Sequence, residues 1–306
     1  MDIMVVFQTM LKLFLLLILG FVLFKCHIFD EYTNKKISAL IVNVASPMLI
    51  ISSIAGVEEN DKSIVFLMIG AGILMYIGFI ILGKIINRIF PFPKKDWPVY
   101  ECMVVFANTG FMGYPVLDVF GQEAVFYASL IHMAFNFFVY TYAILCLTKS
   151  DDSEFKLNFK QLLTPGIVLI FIGILIYLFD MQLPSVLMDT INSIGSLTAP
   201  LSMMMIGSSL AVYPIKDSFT DWRSYVFAFV RLIIVPFMTM IVCRLLHINP
   251  YYANITIITN AMPVGSMVLM LATQYNANVK IVTKNIVVST LLSVITIPIV
   301  VATMLL

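Results

Sequence analysis

The sequence comprises 306 residues, of which 61% are hydrophobic and 11% are charged, and its formal net charge at pH 7 is +1. A soluble globular domain carries roughly 45–50% apolar and 25% charged residues, so this composition excludes a soluble globule and predicts a membrane protein. No basic face or aromatic-basic motif lies outside the loops, which leaves nucleic-acid binding without support. The four cysteines lie far apart with no histidine at metal-ligand spacing, so we expect neither a metal site nor a cofactor.

Ten apolar stretches are long enough to cross a bilayer, for which a helix needs about 20 residues. In chain order they are residues 3–24, 35–56, 63–86, 98–119, 122–147, 163–179, 184–212, 223–245, 251–273 and 279–305. The first has neither a basic stretch before it nor a small-residue cleavage site after it, so we predict a first span and not a cleaved signal. The sequence therefore predicts an all-α membrane protein with ten transmembrane helices.

Basic residues fall almost entirely into alternate loops. Counted together with the adjoining ends of the spans, the loops after spans one, three, five, seven and nine hold 14 of the 18 lysines and arginines, whereas the opposite set holds only Lys62 and Arg244. Cytoplasmic loops are enriched in basic residues, so both termini should face outward. We expect this multi-pass arrangement in the plasma membrane.

A polar linker at residues 149–161 divides the chain into residues 1–148 and 162–306, with five spans in each half. Because five is odd, the second half enters the membrane in the opposite sense, which predicts two inverted five-helix repeats. Matching prolines favour an internal duplication: Pro47 and Pro200 lie in spans two and seven, and Pro115 and Pro263 lie in spans four and nine.

Spans four and nine are interrupted near their middles. The interruptions are Asn108-Thr-Gly-Phe-Met-Gly-Tyr-Pro115 and Asn260-Ala-Met-Pro-Val-Gly-Ser266. Lipid tails offer no hydrogen bonds, so broken backbone at this depth must be packed in protein or must line a cavity. Paired breaks in the two halves of a membrane protein indicate the substrate site of a transporter.

Two broken helices that cross would direct two half-helix N-termini into one cavity. Each N-terminus carries free N–H groups and about half a positive charge, which suits a carboxylate. The side chains of Asn108, Thr109, Asn260 and Ser266 would supply further hydrogen bonds. The alternative is that glycine and proline, which are common in membrane helices, only kink the two spans.

Other polar residues in the spans leave two explanations open. Ser129, His132, Asn136 and Tyr140 share one face of span five, which is either a cavity wall or a surface that hydrogen-bonds to a neighbouring helix. His132 either carries a proton or is a packing residue. Ser46 in span two is a further candidate for the cavity.

Charged residues within the spans also have alternatives. Glu101 is either a coupling group or a residue wetted at the cytoplasmic interface. Lys12 and Arg231 lie deeper, and each either snorkels beside a partner or attracts an anion.

The stretch Asn108-Thr-Gly-Phe-Met-Gly-Tyr-Pro115 resembles the fourth-helix signature of the auxin efflux carrier family, which includes bacterial malate and malonate permease-like proteins. Three further stretches are similar to that family: Ala199-Pro-Leu-Ser-Met-Met-Met-Ile-Gly207, Ala261-Met-Pro-Val-Gly265 and Ser289-Thr-Leu-Leu-Ser-Val-Ile-Thr-Ile-Pro298. The resemblance covers the whole chain.

The resemblance implies the fold of the bile acid/sodium symporter superfamily. Helices one, two, six and seven would form a scaffold, helices three to five and eight to ten a transport core, and the crossing of helices four and nine the substrate site. It also suggests a homodimer formed through the scaffold. Together with the interruptions and the polar positions, it gives these candidate substrate-binding residues: Asn108, Thr109, Gly110, Gly113, Pro115, Asn260, Pro263, Gly265, Ser266, Asn136, His132 and Ser46.

These observations predict a secondary carrier of a small organic anion, a mono- or dicarboxylate, that works by alternating access through an elevator motion. Spans eight to ten lack the acidic residues used by sodium sites of the bile-acid branch, so a coupled proton and a coupled sodium ion both stay open. A membrane enzyme has no support, because no nucleophile–base pair or metal cluster is apparent. An anion-binding membrane sensor or assembly partner remains the alternative to a carrier.

Overall fold

Helices account for nearly all of the described chain. The computed structural model describes residues 3–53, 62–148, 165–212 and 219–304. The helices in chain order are α1 (Ile3–Lys25), α2 (Glu31–Ser53), α3 (Ser63–Ile89), α4 (Trp97–Val105), α5 (Thr109–Gly113 and Tyr114–Leu117), α6 (Gln122–Phe138, Val139–Ala143 and Ile144–Thr148), α7 (Pro165–Leu178), α8 (Ser185–Gly195), α9 (Thr198–Val212), α10 (Trp222–Leu245), α11 (Pro250–Asn260), α12 (Ser266–Gln274) and α13 (Val279–Met304).

Seven helical stretches among the described residues are long and apolar enough to cross a membrane. They are α1, α2, α3, α6, α8 with α9, α10 and α13, so the predicted helical, multi-pass class is confirmed. The other three predicted spans are divided or short: α4 with α5, α7 with 14 residues, and α11 with α12. The predicted linker at 149–161 lies outside the described residues.

Three helices widen into a π-turn two residues before a proline. Ser46 N–H reaches back to the carbonyl of Ile41, and Val235 N–H to that of Val230, five residues away instead of four. Proline lacks an N–H and its ring clashes with the carbonyl four residues earlier, and a wider turn relieves that clash. The π-turns Ile41–Ala45, Thr109–Gly113 and Val230–Ile234 precede Pro47, Pro115 and Pro236, respectively.

The internal packing of the chain separates two units. The first contains Met1–Met68, Gly110–Leu130 and Lys160–Tyr213, and the second contains Ile69–Thr109, Ile131–Phe159 and Pro214–Leu306. Each unit therefore takes segments from both halves of the sequence.

In the first unit, α1 packs directly against α9. A Cβ atom on Gly207 would overlap the backbone of Leu17, and one on Gly20 would overlap the backbone of Met204. The absence of side chains at these glycines lets the two helix backbones approach closely, as small residues commonly do in membrane proteins. At the end of this unit, Lys62 forms a 2.6 Å salt bridge with Asp180.

In the second unit, an aromatic cluster around Tyr76 joins α3, α6 and the end of α4. The buried Tyr76 ring lies 5.7–6.2 Å, between ring centroids, from four phenylalanines. Such pairs contribute about 0.5–1.5 kcal/mol each beyond the area that they bury. The cluster therefore stabilises the position at which α4 ends. Its four phenylalanines are Phe79, Phe106, Phe135 and Phe138.

Candidate functional site

Both interruptions predicted from the sequence are present, and their backbones bind each other. After α4 ends, Ala107 pairs in antiparallel fashion with Val264, which follows α11. The Asn108 N–H donates to the Pro263 carbonyl at 2.8 Å, and the Gly265 N–H donates to the Phe106 carbonyl at 3.0 Å. We call this paired backbone, residues 106–108 and 263–265, the crossing. It satisfies backbone groups that the interrupted helices leave without partners.

Gly265 is required by the closeness of the two backbones. A Cβ atom at this position would lie 2.8 Å from the Ala107 carbonyl oxygen and 3.1 Å from the Phe106 oxygen. The Gly265 backbone is extended, with φ −73° and ψ 136°, so other residues would accept its dihedral angles. The glycine is therefore explained by space at the crossing.

A third helix completes the hydrogen bonding of the crossing. The Val264 N–H donates to the Ser289 side-chain oxygen of α13 at 3.3 Å, and Ser289 is fully buried. Sequence reasoning did not select Ser289 as a site residue. The signal was present, because Asn285, Ser289 and Ser293 recur at every fourth position of an apolar helix and are all buried.

The two asparagines of the interruptions do not occupy equivalent positions. A two-fold rotation about the Ala107–Val264 pair exchanges Asn108 with Gly265. The same rotation exchanges the two backbone hydrogen bonds of the crossing. Asn260 instead lies at the end of α11, where its side-chain nitrogen donates to the Thr256 carbonyl at 2.9 Å. The crossing is therefore nearly symmetric in its backbone and asymmetric in its side chains.

Asn108 offers an amide for a ligand. Its side chain is only 4% exposed, and no hydrogen bond to it is found within the described part of the chain. A buried polar group normally has a partner. The Asn108 amide is therefore the group at the crossing best suited to bind a substrate.

Thr109 and His132 connect the crossing to α6. The Thr109 hydroxyl oxygen lies 2.7 Å from His132 Nδ1, and the tautomer of the imidazole decides which group donates. The His132 ring stacks on Phe135 with centroids 4.5 Å apart. Asn136 Nδ2 donates to the His132 carbonyl at 3.1 Å, within the same helix. Of the predicted polar face, His132 thus contacts the residue that directly follows the crossing, and Asn136 hydrogen-bonds within its own helix.

The remaining candidate residues have different positions. Pro263 is buried and supplies a carbonyl to the crossing, and the half-buried Ser266 begins α12. The candidates in the first unit are the half-buried Gly110 and the buried Gly113, Pro115 and Ser46. These four residues form no part of the paired backbone.

Two alternatives for the charged residues are wrong. Glu101 is buried and accepts a hydrogen bond from the Tyr142 hydroxyl, so it is not a residue wetted at the interface. Arg231 is 0% exposed and its guanidinium has no hydrogen-bond partner among the described residues, so it does not snorkel beside a partner. Lys12 is exposed, as snorkelling requires. Within the described ranges, no three His, Cys, Asp or Glu side chains are grouped to hold a metal ion.

Interrupted helices that meet within an apolar helical protein are typical of transporters. Comparison with known proteins agrees: a family described as membrane transport protein matches residues 5–158 and 152–301. The chain belongs to this family, the auxin efflux carrier family.

Curated relatives match over nearly their full length. An uncharacterised transporter of Methanocaldococcus jannaschii is 25% identical over 96% of this chain and 97% of its own. An uncharacterised transporter of Methanothermobacter thermautotrophicus is 24% identical, with coverages of 95% and 96%. The uncharacterised transporter YfdV of Escherichia coli K12 is 20% identical, with 94% of each chain covered. The family and these names indicate a membrane transporter and not an enzyme.

Proposed function

We propose that this protein is a secondary transporter of small organic anions, such as mono- or dicarboxylates, and that the substrate binds at the crossing. The observation that carries the proposal is the buried Asn108 amide, which has no hydrogen-bond partner in the described chain and lies within paired backbone. Membership of a family of membrane transport proteins supports the transport function.

The helix end beside the crossing favours an anion. The helix α12 begins at Ser266, directly after Gly265 of the crossing, and has nine residues. The first N–H groups of a helix lack intrahelical partners and carry partial positive charge, so they attract carboxylates. Together with the Asn108 amide they offer several donors to a carboxylate without an exposed basic residue.

We further propose ten spans in two inverted repeats, with both termini outside the plasma membrane. Helices from spans three to five and eight to ten would move as a transport core along a scaffold from spans one, two, six and seven, in an elevator motion. The scaffold would form a homodimer, and either a proton or a sodium ion would be coupled. Substrate shifts such an equilibrium only if it binds the alternative states with different affinity.

Flux measurements test the proposal. Purified protein is reconstituted into liposomes, and counterflow of labelled malonate is compared between the wild type, Asn108→Ala and a control, Asn192→Ala, whose side chain is exposed on α8. We expect saturable counterflow in the wild type and in the control. Loss of one or two hydrogen bonds should weaken malonate binding by about tenfold in Asn108→Ala.

The thermal stability of Asn108→Ala should equal that of the wild type, because the amide forms no hydrogen bond that folding would lose. Wild-type flux in Asn108→Ala would remove Asn108 from the site. Carboxylate binding without counterflow of any labelled carboxylate would contradict transport and identify a sensor.

A further inference from the structure

Arg231 is a fully buried charge for which the described protein provides no partner. It lies in the π-turn of α10, is 0% exposed, and is among the largest fully buried side chains of the described residues. Its Nε, Nη1 and Nη2 atoms form no hydrogen bond with the described residues. A guanidinium has five N–H donors and stays charged at any physiological pH.

The acidic residues of the second unit are engaged elsewhere. Of the three that are described, Asp96 accepts a hydrogen bond from Asn278, and Glu101 accepts one from Tyr142. Asp221 caps the start of α10 by accepting from the Arg223 N–H. A buried charge is normally paired, since burial without a partner is strongly unfavourable. None of the described carboxylates of the second unit therefore pairs with Arg231.

Tyr76 links Arg231 to the crossing. Both side chains are buried, and their ionisable groups lie within electrostatic range of each other. The Tyr76 ring stacks on Phe106, with centroids 6.2 Å apart and an angle of 22° between the rings. The Phe106 carbonyl in turn accepts the hydrogen bond from Gly265. The Tyr76 ring therefore contacts the crossing through Phe106, and its hydroxyl lies within electrostatic range of Arg231.

A contact between α10 and α4 indicates the depth at which Arg231 lies. Phe227, one turn before Arg231, packs against Tyr100 of α4 with ring centroids 5.6 Å apart. Arg231 lies four residues after Phe227 in α10. Phe106 lies six residues after Tyr100, directly after the end of α4. At 1.5 Å per helical residue, these are advances of roughly 6 and 9 Å. In the topology proposed above the two helices run in the same direction, so Arg231 lies close to the depth at which α4 ends.

The backbone at Arg231 is also irregular. The Val235 N–H binds the Val230 carbonyl, and the next residue, Pro236, has no N–H. The Arg231 carbonyl therefore receives no bond from either residue. Turns of this kind occur frequently at functional sites.

We propose that Arg231 is the fixed positive charge of the substrate site and binds a carboxylate group of the transported anion on the Tyr76 side of the crossing. This inference rests on the function proposed above and deepens it, because it requires an ionised carboxylate in the substrate. Guanidinium and carboxylate form paired, charge-assisted hydrogen bonds, which match the unpaired donors of Arg231.

Binding of malonate to the purified full chain in nanodiscs tests the inference. The variants are Arg231→Gln, Arg231→Lys and the control Arg244→Gln, which removes an exposed arginine from the same helix. Loss of charge-assisted hydrogen bonds should weaken malonate affinity by about 10- to 100-fold in Arg231→Gln, with an intermediate loss in Arg231→Lys. The control should bind like the wild type. Neutral malonamide should not bind detectably to the wild type or to any variant. Chloride at equal ionic strength should show no binding comparable to that of malonate.

Thermal unfolding without malonate gives a second readout. Arg231→Gln should melt at a higher temperature than the wild type, because an unpaired buried charge is removed, and malonate should no longer raise that temperature. If Arg231→Gln fails to fold, Arg231→Lys keeps the charge and should still lose part of the malonate affinity.

Unchanged malonate affinity in both Arg231 variants, or an equal effect of chloride, would overturn the assignment. Arg231-dependent binding without malonate flux in the wild type would support the assignment and contradict the proposed transport. Malonate flux that is unaffected by Arg231→Gln would support the proposed transport and contradict the assignment of Arg231.

Discussion

The backbone N–H of Asn108 donates to the carbonyl of Pro263 at 2.8 Å, which joins an interruption in the first half of the chain to one in the second. The Gly265 N–H returns a bond to Phe106. In hydrocarbon, each unpaired backbone group costs several kcal/mol. Each interruption therefore stabilises the other, and disruption of either segment should affect both.

Gly265→Ala should disturb the crossing directly. The added Cβ atom would lie 2.8 Å from the Ala107 carbonyl oxygen, which is backbone and can move only with its segment. We expect a loss of about 1–3 kcal/mol in the free energy of unfolding, as for other overpacked positions, together with strongly reduced counterflow. Gly78→Ala is the matched control, because a Cβ atom there meets nothing within 4 Å. Wild-type melting temperature and flux in Gly265→Ala would contradict the tight crossing.

Pro263→Ala should abolish uptake while leaving expression intact. Proline has no N–H and prevents α11 from continuing past Asn260, whereas alanine is the best helix former. The substituted segment would be drawn into helix and would lose its pairing with Asn108. Pro298→Ala, inside α13, serves as the control and should keep transport with unchanged or higher thermal stability. A normal rate of malonate counterflow in Pro263→Ala would exclude Pro263 from the mechanism.

Ser289→Ala should destabilise the crossing from α13. It leaves the Val264 N–H without the 3.3 Å hydrogen bond to the Ser289 hydroxyl, at a fully buried position. Unpaired buried donors cost about 1–3 kcal/mol, which thermal or denaturant unfolding would measure. Thr303→Ala in the same helix removes an exposed hydroxyl that binds the Val300 carbonyl, and it should have little effect. Equal stability losses in the two variants would argue against a specific role for Ser289.

Local sequence signals predicted the helices and both interruptions. Apolar runs indicate membrane helices because lipid requires them, and Asn, Gly and Pro at residues 108–115 and 260–266 indicate breaks. The signals did not show that Asn108 corresponds to Gly265, because that relation depends on the register between two distant segments. The asparagine shared by the two motifs therefore does not indicate which residues lie in equivalent positions.

Contacts between distant helices could not be predicted from the sequence, for a physical reason. Ser289 and Arg231 are polar residues in apolar helices, and hydropathy does not reveal which neighbour each one faces. Snorkelling was a reasonable expectation for Arg231, since a long side chain can reach the interface. Its complete burial follows from the way α10 packs, and only tertiary structure reveals that.

The three prolines that follow π-turns have a consequence for comparing this chain with its relatives. A π-turn holds one residue more than an α-turn, so every position beyond it is rotated by about 100° around the axis of an ordinary helix. A relative that lacks Pro47, Pro115 or Pro236 is expected to lack the extra residue as well. An alignment with such a relative needs a single-residue gap at the turn, or it will match inward positions of one protein with outward positions of the other.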